Sequence, residues 1–313
     1  EFMTTTLTLG DYFQQWMETF KKPAVTSVTY VKYRNSHKHI YTYFGNIKLK
    51  EITRHRYQKG LNDFAKNHAK RTTSGFHKQI RAAILDAVEE GIIDTDFTRK
   101  AIITGREKKK AKVMYHSYSE WQKLIHYTRS QPLNPNNFII YLSAMTGLRF
   151  AEVLGITVAD IDFKHKLISV NKTWDYKYRT GFKETKNASS VRTVDVDTKT
   201  LKVIKEVIRF RKFRGDDKIC ADDNEKLPVS ATINRHLEKA CQKLKLSSIS
   251  FHGLRHTHAS ILLFKGVNIL SVSRRLGHKD VTTTQSVYLH VIKEMEERET
   301  RLIMKIMNQA LSI

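Results

Sequence analysis

The chain has 313 residues, 40% of them hydrophobic and 27% charged, a length that favours two globular domains each able to bury its own core. Its 55 Lys and Arg stand against 31 Asp and Glu, and the formal charge of +24 points to a polyanionic partner, most often nucleic acid. The sequence has no apolar run of bilayer length and no basic amphipathic anchor, which argues against a membrane surface, and its opening residues do not read as a signal peptide.

The opening Glu1-Phe2 before Met3 resembles a cloning scar, and residues 1–7 are expected to be a flexible N-terminus. Residues 8–104 read as a helical bundle. Leu9, Tyr12, Phe13, Trp16, Met17 and Phe20 share one helical face. A second helix is expected from Ser27 to about Tyr43, stopping before Gly45. A third follows Thr53 with Tyr57, Leu61, Phe64 and Ala65. The fourth carries Ile80, Ala83, Ile84, Ala87 and Val88 and ends at Gly91, a good residue just past a helix end. Between these stripes stand the basic runs KYRNSHKH, TRHRYQK and KNHAKRTT. One such run is an ordinary solvated face; several of one sign on a small bundle suit a surface that grips a phosphate backbone, with Lys32, Arg34, Lys38 and Arg71 as candidate contacts.

The stretch GREKKKAKV (105–113) is basic and without periodicity, so it reads as an interdomain linker, and Lys108, Lys109 and Lys110 could strap along DNA. A second domain is expected over 114–313. Ser119 to Gln122 fits a helix capping box, and helices fit 136–146 and 149–155. Around 167–196 the pattern changes to β-branched alternation in LISVNKTW and SSVRTVDV, which predicts a small antiparallel sheet with a hairpin. From Thr198 onward helical periods return, with Ser230 as an expected N-cap. Cys220 and Cys241 have no metal-ligand spacing and read as reduced thiols of a cytoplasmic protein.

The candidate chemistry lies in the C-terminal half. Arg149 in TGLRFAEVLGI follows a glycine at a helix start, where free backbone N–H groups already favour an anion, and Glu152 shares its helix face. His252 and Arg255 in FHGLRH repeat that arrangement. The i, i+4 pair of His252 and His256 lacks the glutamate and third ligand of a zinc helix, and His258 reads as a packed or solvent histidine. His278 in LGHKD follows a helix-ending glycine, and Tyr288 in TTTQSVYLH comes ten residues later. Lys186, in the connection between the two β runs, has a stem long enough to deliver a proton into a cleft, with Lys183 and Lys177 as competitors. Arginine forks match phosphate oxygens, and a tyrosine hydroxyl can attack phosphorus. Taken singly, each of these residues has an ordinary surface or core alternative.

Taken in order, TGLR..E, HxLRH, LGH and the following tyrosine resemble the tyrosine recombinases, the integrases of phages and conjugative transposons, over essentially the whole chain. The resemblance implies a mainly α protein: an N-terminal helical, SAM-like core-binding domain and a mixed α+β catalytic domain with a small antiparallel sheet. It implies that Arg149, Arg255 and His278 bind the scissile phosphate, that Lys186 is the general acid, that His252 assists proton transfer, and that Tyr288 is the nucleophile. Glu152 matches the family's acidic support position. Cleavage would leave a 3′-phosphotyrosine without ATP, metal or other cofactor and pass through a Holliday junction. Implied partners are double-stranded DNA core sites, a homotetramer exchanging a C-terminal helix (about 298–311), and an accessory DNA-bending or directionality factor, in a bacterial, nucleoid-associated setting. Leu302, Ile303, Ile306, Met307, Ala310 and Leu311 form an apolar stripe suited to that exchange or to docking on their own domain. The arm-binding domain that precedes the core-binding bundle in many such integrases has no counterpart in this sequence, which suits a fragment or a simpler recombinase. A type IB topoisomerase and a non-catalytic DNA-binding regulator are the alternatives.

Overall fold

Thr8 starts the first helix by accepting the Asp11 N–H at 3.1 Å on its hydroxyl, which satisfies one of the free donors of a helix start. The computed structural model describes residues 6–107, 115–185 and 188–310. The chain divides into two units, 1–110 and 111–313.

In the first unit α1 (Leu9–Trp16) runs into a π turn (Met17–Lys21), followed by α2 (Ser27–Phe44), α3 (Arg54–Asn67) and α4 (Lys70–Glu89). Leu9, Phe13, Trp16, Ile40, Phe44, Tyr57, Leu61, Phe64, Ile80 and Ile84 form one buried cluster. Phe20, expected on the same stripe, is 47% exposed, because the π turn widens the helix and rotates it out of register. Gly45 and Gly91 follow α2 and α4 at positive φ, where a glycine carries no Cβ penalty. Lys32, Arg34 and Lys38 on α2 and Arg71 on α4 are exposed. Lys108, Lys109 and Lys110 lie outside the described residues.

The second unit begins with α5 (Tyr118–Arg129), α6 (Pro135–Thr146) and α7 (Phe150–Gly155). The capping box of α5 lies two residues earlier than expected: Ser117 Oγ accepts the Glu120 N–H at 3.3 Å and Glu120 accepts the Ser117 N–H at 2.9 Å. Helix α6 is buried around nearly its whole circumference, from Asn137 to Ala144, and is the axis of the unit's main core. Five short strands follow: β1 (Ile161–Asp162), β2 (Leu167–Val170), β3 (Lys172–Trp174), β4 (Phe182–Glu184) and β5 (Arg192–Asp195). They form two antiparallel sheets where one was expected. The first has the order β1-β2-β5, with Ile168 opposite Val194 and Val170 opposite Arg192; β3 pairs with β4, Thr173 opposite Lys183. The run LISVNKTW therefore splits at Asn171, its first half pairing forward to β5 and its second to β4.

The remaining helices are α8 (Thr198–Arg211), α9 (Ser230–Lys243), α10 (Phe251–Phe264), α11 (Ile269–Leu276) and α12 (Val281–Ala310). Ser230 is the first residue of α9, and Val229 holds the cap position. Helix α10 packs against α6, α9, α11 and α12 and carries His252, Arg255, His256 and His258. The last helix is continuous from Val281 to Ala310 apart from a break at Tyr288, whose φ and ψ are −110° and 19°. The segment 298–311 is thus the far end of α12 and not a separate helix. Ile303, Ile306 and Met307 on it are exposed; the side chains of Leu302 and Ala310, and Leu311 itself, lie outside the described residues.

Candidate active site

Helix α11 ends at Gly277, which takes the left-handed conformation at φ 66° and turns the chain into His278. A helix end leaves backbone carbonyls without intrahelical partners and carries partial negative charge. Here three consecutive carbonyls each receive a different guanidinium. Arg192 Nε donates to Arg275 O at 2.7 Å, Arg255 Nη2 to Leu276 O at 2.7 Å, and Arg149 Nη2 to Gly277 O at 3.1 Å. The end of α11, from Arg275 to Gly277, therefore fixes three arginines from three other elements: the start of α7, strand β5 and helix α10.

The carboxylate that balances them is Glu152, 2% exposed on α7. It accepts the Arg149 backbone N–H at 2.8 Å and Arg149 Nη1 at 2.7 Å. Arg192 Nη1 and Nη2 reach its two oxygens at 3.2 and 3.0 Å. Arg149 is the N-cap residue of α7, but arginine has no acceptor, so only the glutamate half of a capping box can operate. Burial works against the ionised Glu152, yet the Arg192 hydrogen bonds and the charges of Arg192 and Arg149 hold its carboxyl below the usual range. Gly277 is required on two counts: its φ, and a Cβ that would sit 2.9 Å from Arg192 Nη1.

Arg255 is 2% exposed and uses two of its five N–H groups on Gly147 O (2.9 Å) and Leu276 O. Burial and the neighbouring Arg149 pull its pKa down to about 9, which still leaves it charged at neutral pH. Gly147 ends α6 at φ 71°, and a Cβ there would meet His258 Cδ2 at 2.7 Å. His258 is packed, as one of the two expectations for it had it. Its Nε2 accepts from Arg275 Nε at 2.9 Å, so its Nδ1–H donates to Ala144 O at 3.1 Å, and burial pushes its pKa down to about 3.

His278 Nδ1 lies 2.7 Å from the hydroxyl of buried Thr284. Burial, then Arg255 and Arg149, bring its pKa down to about 4, so the ring is neutral at pH 7. His252 is exposed at the start of α10; partial desolvation and the charges of Arg255 and Arg149 lower its pKa. Tyr288 is 2% exposed and packs with Ala259, Leu263, Val272 and Leu276. Burial pushes its hydroxyl up to about 12, against the pull of Arg255, and its Oη lies 3.0 Å from His256 Nδ1.

The fold thus gathers Arg149, Glu152, Arg255, His278 and Tyr288 around the α11 terminus, with His252 on the adjacent turn of α10. Lys186 lies outside the described residues. Of its competitors, Lys183 is held 2.6 Å from Asp175, and Lys177 is exposed. Sequence reasoning missed Arg192, Arg275 and Thr284, and considered His256 only as a metal ligand. No local signal marks Arg192 or Arg275, since both look like ordinary surface cations in an alternating strand and an amphipathic helix.

Residues 112–295 match the phage integrase family, and residues 8–65 match the phage integrase N-terminal SAM-like domain. The chain is 27% identical over 267 residues to the integrase of Staphylococcus phage L54a, covering 77% of this chain and 75% of that one. It is 26% identical over 327 residues to a XerC-like tyrosine recombinase of Caldanaerobacter subterraneus, covering 93% and 81%. Among solved structures, its fold resembles the Tn1549 transposon integrase in complex with transposon right end DNA, with a TM-score of 0.76 at 16% identity, covering 93% of this chain and 99% of that one. It also resembles a lambda integrase tetramer bound to a Holliday junction, with a TM-score of 0.68 at 17% identity, covering 89% and 79%. The family match spans more than half the chain and includes every residue of the arginine cluster, so this protein belongs to the phage integrase family, the tyrosine recombinases.

Proposed function

We propose that the chain cuts and rejoins DNA at specific sites of a mobile element through a covalent 3′-phosphotyrosine. The observation that carries this reading is the convergence of Arg149, Arg255 and His278 on one helix terminus beside Tyr288. Arg149 and Arg255, each with N–H groups left over after the backbone contacts, take the non-bridging oxygens of the scissile phosphate and stabilise the charge of the pentavalent transition state. Thr284 donating to His278 Nδ1 leaves the neutral ring with an N–H at Nε2, a further donor to the same phosphate. Tyr288 Oη forms a bond to phosphorus as the bond from phosphorus to the 5′-oxygen breaks. Lys186 gives its proton to that oxygen, and His252 assists proton transfer. The phosphodiester energy stays in the tyrosyl link, so the step draws on neither ATP nor a metal ion.

Residues 8–104 serve as the core-binding domain, with Lys32, Arg34, Lys38 and Arg71 gripping phosphates and the 105–113 segment as a basic strap. The exposed Ile303, Ile306 and Met307 support exchange of the end of α12 between subunits of a tetramer that resolves a Holliday junction. The test is a nicked suicide substrate spanning the element's ends. Tyr288→Phe is expected to bind that DNA with wild-type affinity and form no covalent adduct. An adduct with Tyr288→Phe would place the nucleophile elsewhere, and loss of wild-type cleavage on adding a chelator would refute the metal-free step.

A further inference from the structure

The nucleophile's hydroxyl is buried and hydrogen-bonded, and its partner is not a member of the expected set. The imidazole in contact with Tyr288 Oη belongs to His256, at 3.0 Å from Nδ1, and not to His252. Tyr288 is held there by its own backbone, which leaves the helical conformation at this one residue of α12, and by the apolar cluster of Ala259, Leu263, Val272 and Leu276. His256 follows the phosphate-binding Arg255 directly on α10. Its ring meets His252 edge to face, with centroids 4.7 Å apart, and Tyr288 at 5.8 Å.

A phenol with a pKa near 12 is ionised in only about one molecule in 10⁵ at neutral pH, so its attack on phosphorus needs a base at the oxygen. The charged and titratable groups facing His256 are His252 and Arg255 on its own helix, Tyr288 from α12, and His278 from the turn before α12. Burial, His252 and Arg255 keep the ring neutral, with its pKa brought down to about 4. In the tautomer that carries its proton on Nε2, the neutral imidazole presents a lone pair at Nδ1 for that hydroxyl's proton. A bound phosphodiester adds a negative charge near the ring and raises its basicity at the moment of reaction.

We propose that His256 is the general base for the nucleophile, a role that rests on reading Tyr288 as the attacking residue. As the Oη–P bond forms, the Oη–H bond breaks and the proton passes to Nδ1. The P–O5′ bond breaks with its electron pair staying on the 5′-oxygen, which is protonated by the general acid. In the rejoining step the 5′-hydroxyl attacks and gives its proton back to the general acid left deprotonated by cleavage, tyrosine leaves, and the His256 imidazolium returns its proton to Oη. His252, one turn away, is then left to act on the phosphate side.

The test is single-turnover cleavage of the nicked suicide substrate by the full chain, from pH 5.5 to 9. His256→Asn keeps a polar group near the Nδ1 position and can hold Tyr288 but cannot take its proton; His256→Ala removes both functions. Both variants are expected to bind DNA as wild type does and to cleave about 10²-fold or more slowly at pH 7. Wild-type rate should be nearly flat above pH about 6, whereas both variants should gain about tenfold per pH unit, because hydroxide must now remove the proton. A purely structural role would lower the whole profile without changing its shape, and that result overturns the inference, as does cleavage by His256→Asn within about threefold of wild type. Tyr288→Phe is run beside them. An adduct in that variant defeats the nucleophile assignment itself, whereas a flat His256→Asn profile with an inert Tyr288→Phe defeats the base alone.

Discussion

Replacing Glu152 by Gln removes one negative charge and little else in shape, so its effect can be worked from the contacts. The carboxylate accepts four hydrogen bonds, two from Arg149 and two from Arg192, with only 2% of the residue exposed. Glutamine keeps one acceptor oxygen but turns the other position into an NH2 facing arginine N–H groups, a donor against donors. Arg192, whose side chain is 7% exposed, then loses its counter-charge and cannot turn to water. Removing one partner of such a buried pair costs about 3–5 kcal/mol. For a unit the size of 111–313, about 2–4 °C of melting temperature per kcal/mol gives a fall of about 6–20 °C. Scanning calorimetry of the full chain reads this directly. The double variant Glu152→Gln, Arg192→Leu should lose less than the sum of the two single variants, because each removes the same contacts. A Glu152→Gln melting temperature within about 2 °C of wild type would refute the claim that this carboxylate holds the arginine cluster together.

Stability should also fall in acid. His258 has a folded pKa near 3 against an ordinary 6.5, so the unfolded chain takes up a proton that the folded chain refuses; the contribution is fully present above pH about 6.5 and is lost as pH falls toward 3. Between pH 7.5 and 5 this residue alone should cost about 2 kcal/mol, read as a lower urea midpoint, and an unchanged midpoint would contradict its neutral, buried state. Gly147→Ala should destabilise the protein by at least about 1 kcal/mol and slow cleavage, because the residue has φ 71°, its Cβ would collide with His258, and its carbonyl holds Arg255; wild-type melting and cleavage would argue against that restraint. Replacing Lys32, Arg34 and Lys38 together with Ala should weaken DNA binding across sequences and reduce the log–log salt slope by about 3, measured by titration at several salt concentrations. An unchanged slope would remove those residues from the DNA-contacting face.

Helix positions were legible because they follow from local chemistry. Thr53 before α3, Gly91 after α4 and Gly277 after α11 announce their elements through capping and backbone freedom alone. Register was less so. The π turn that rotates Phe20 into solvent, and the division of residues 167–174 between two sheets, depend on neighbours distant in the chain, which periodicity does not encode.

The site divides in the same way. Order and spacing of TGLR, HGLRH, LGH and Tyr288 are properties of the chain, and they were sufficient to bring out the family, the phosphate-seeking residue types and one tyrosine among thirteen. What the chain alone could not give is which groups touch. Arg192 and Arg275 have no motif, yet one shares Glu152 with Arg149 and the other fixes the tautomer of His258. His256 looked like the second half of an abandoned metal pair until the break in α12 brought Tyr288 against it. A hydrogen bond needs two groups within about 3 Å, and outside the Arg149–Glu152 and His278–Thr284 contacts the pairs described in this site are separated by 17 to 128 positions of chain. Only the tertiary fold, by burying Leu276 and Tyr288 against α10, determines that separation in space.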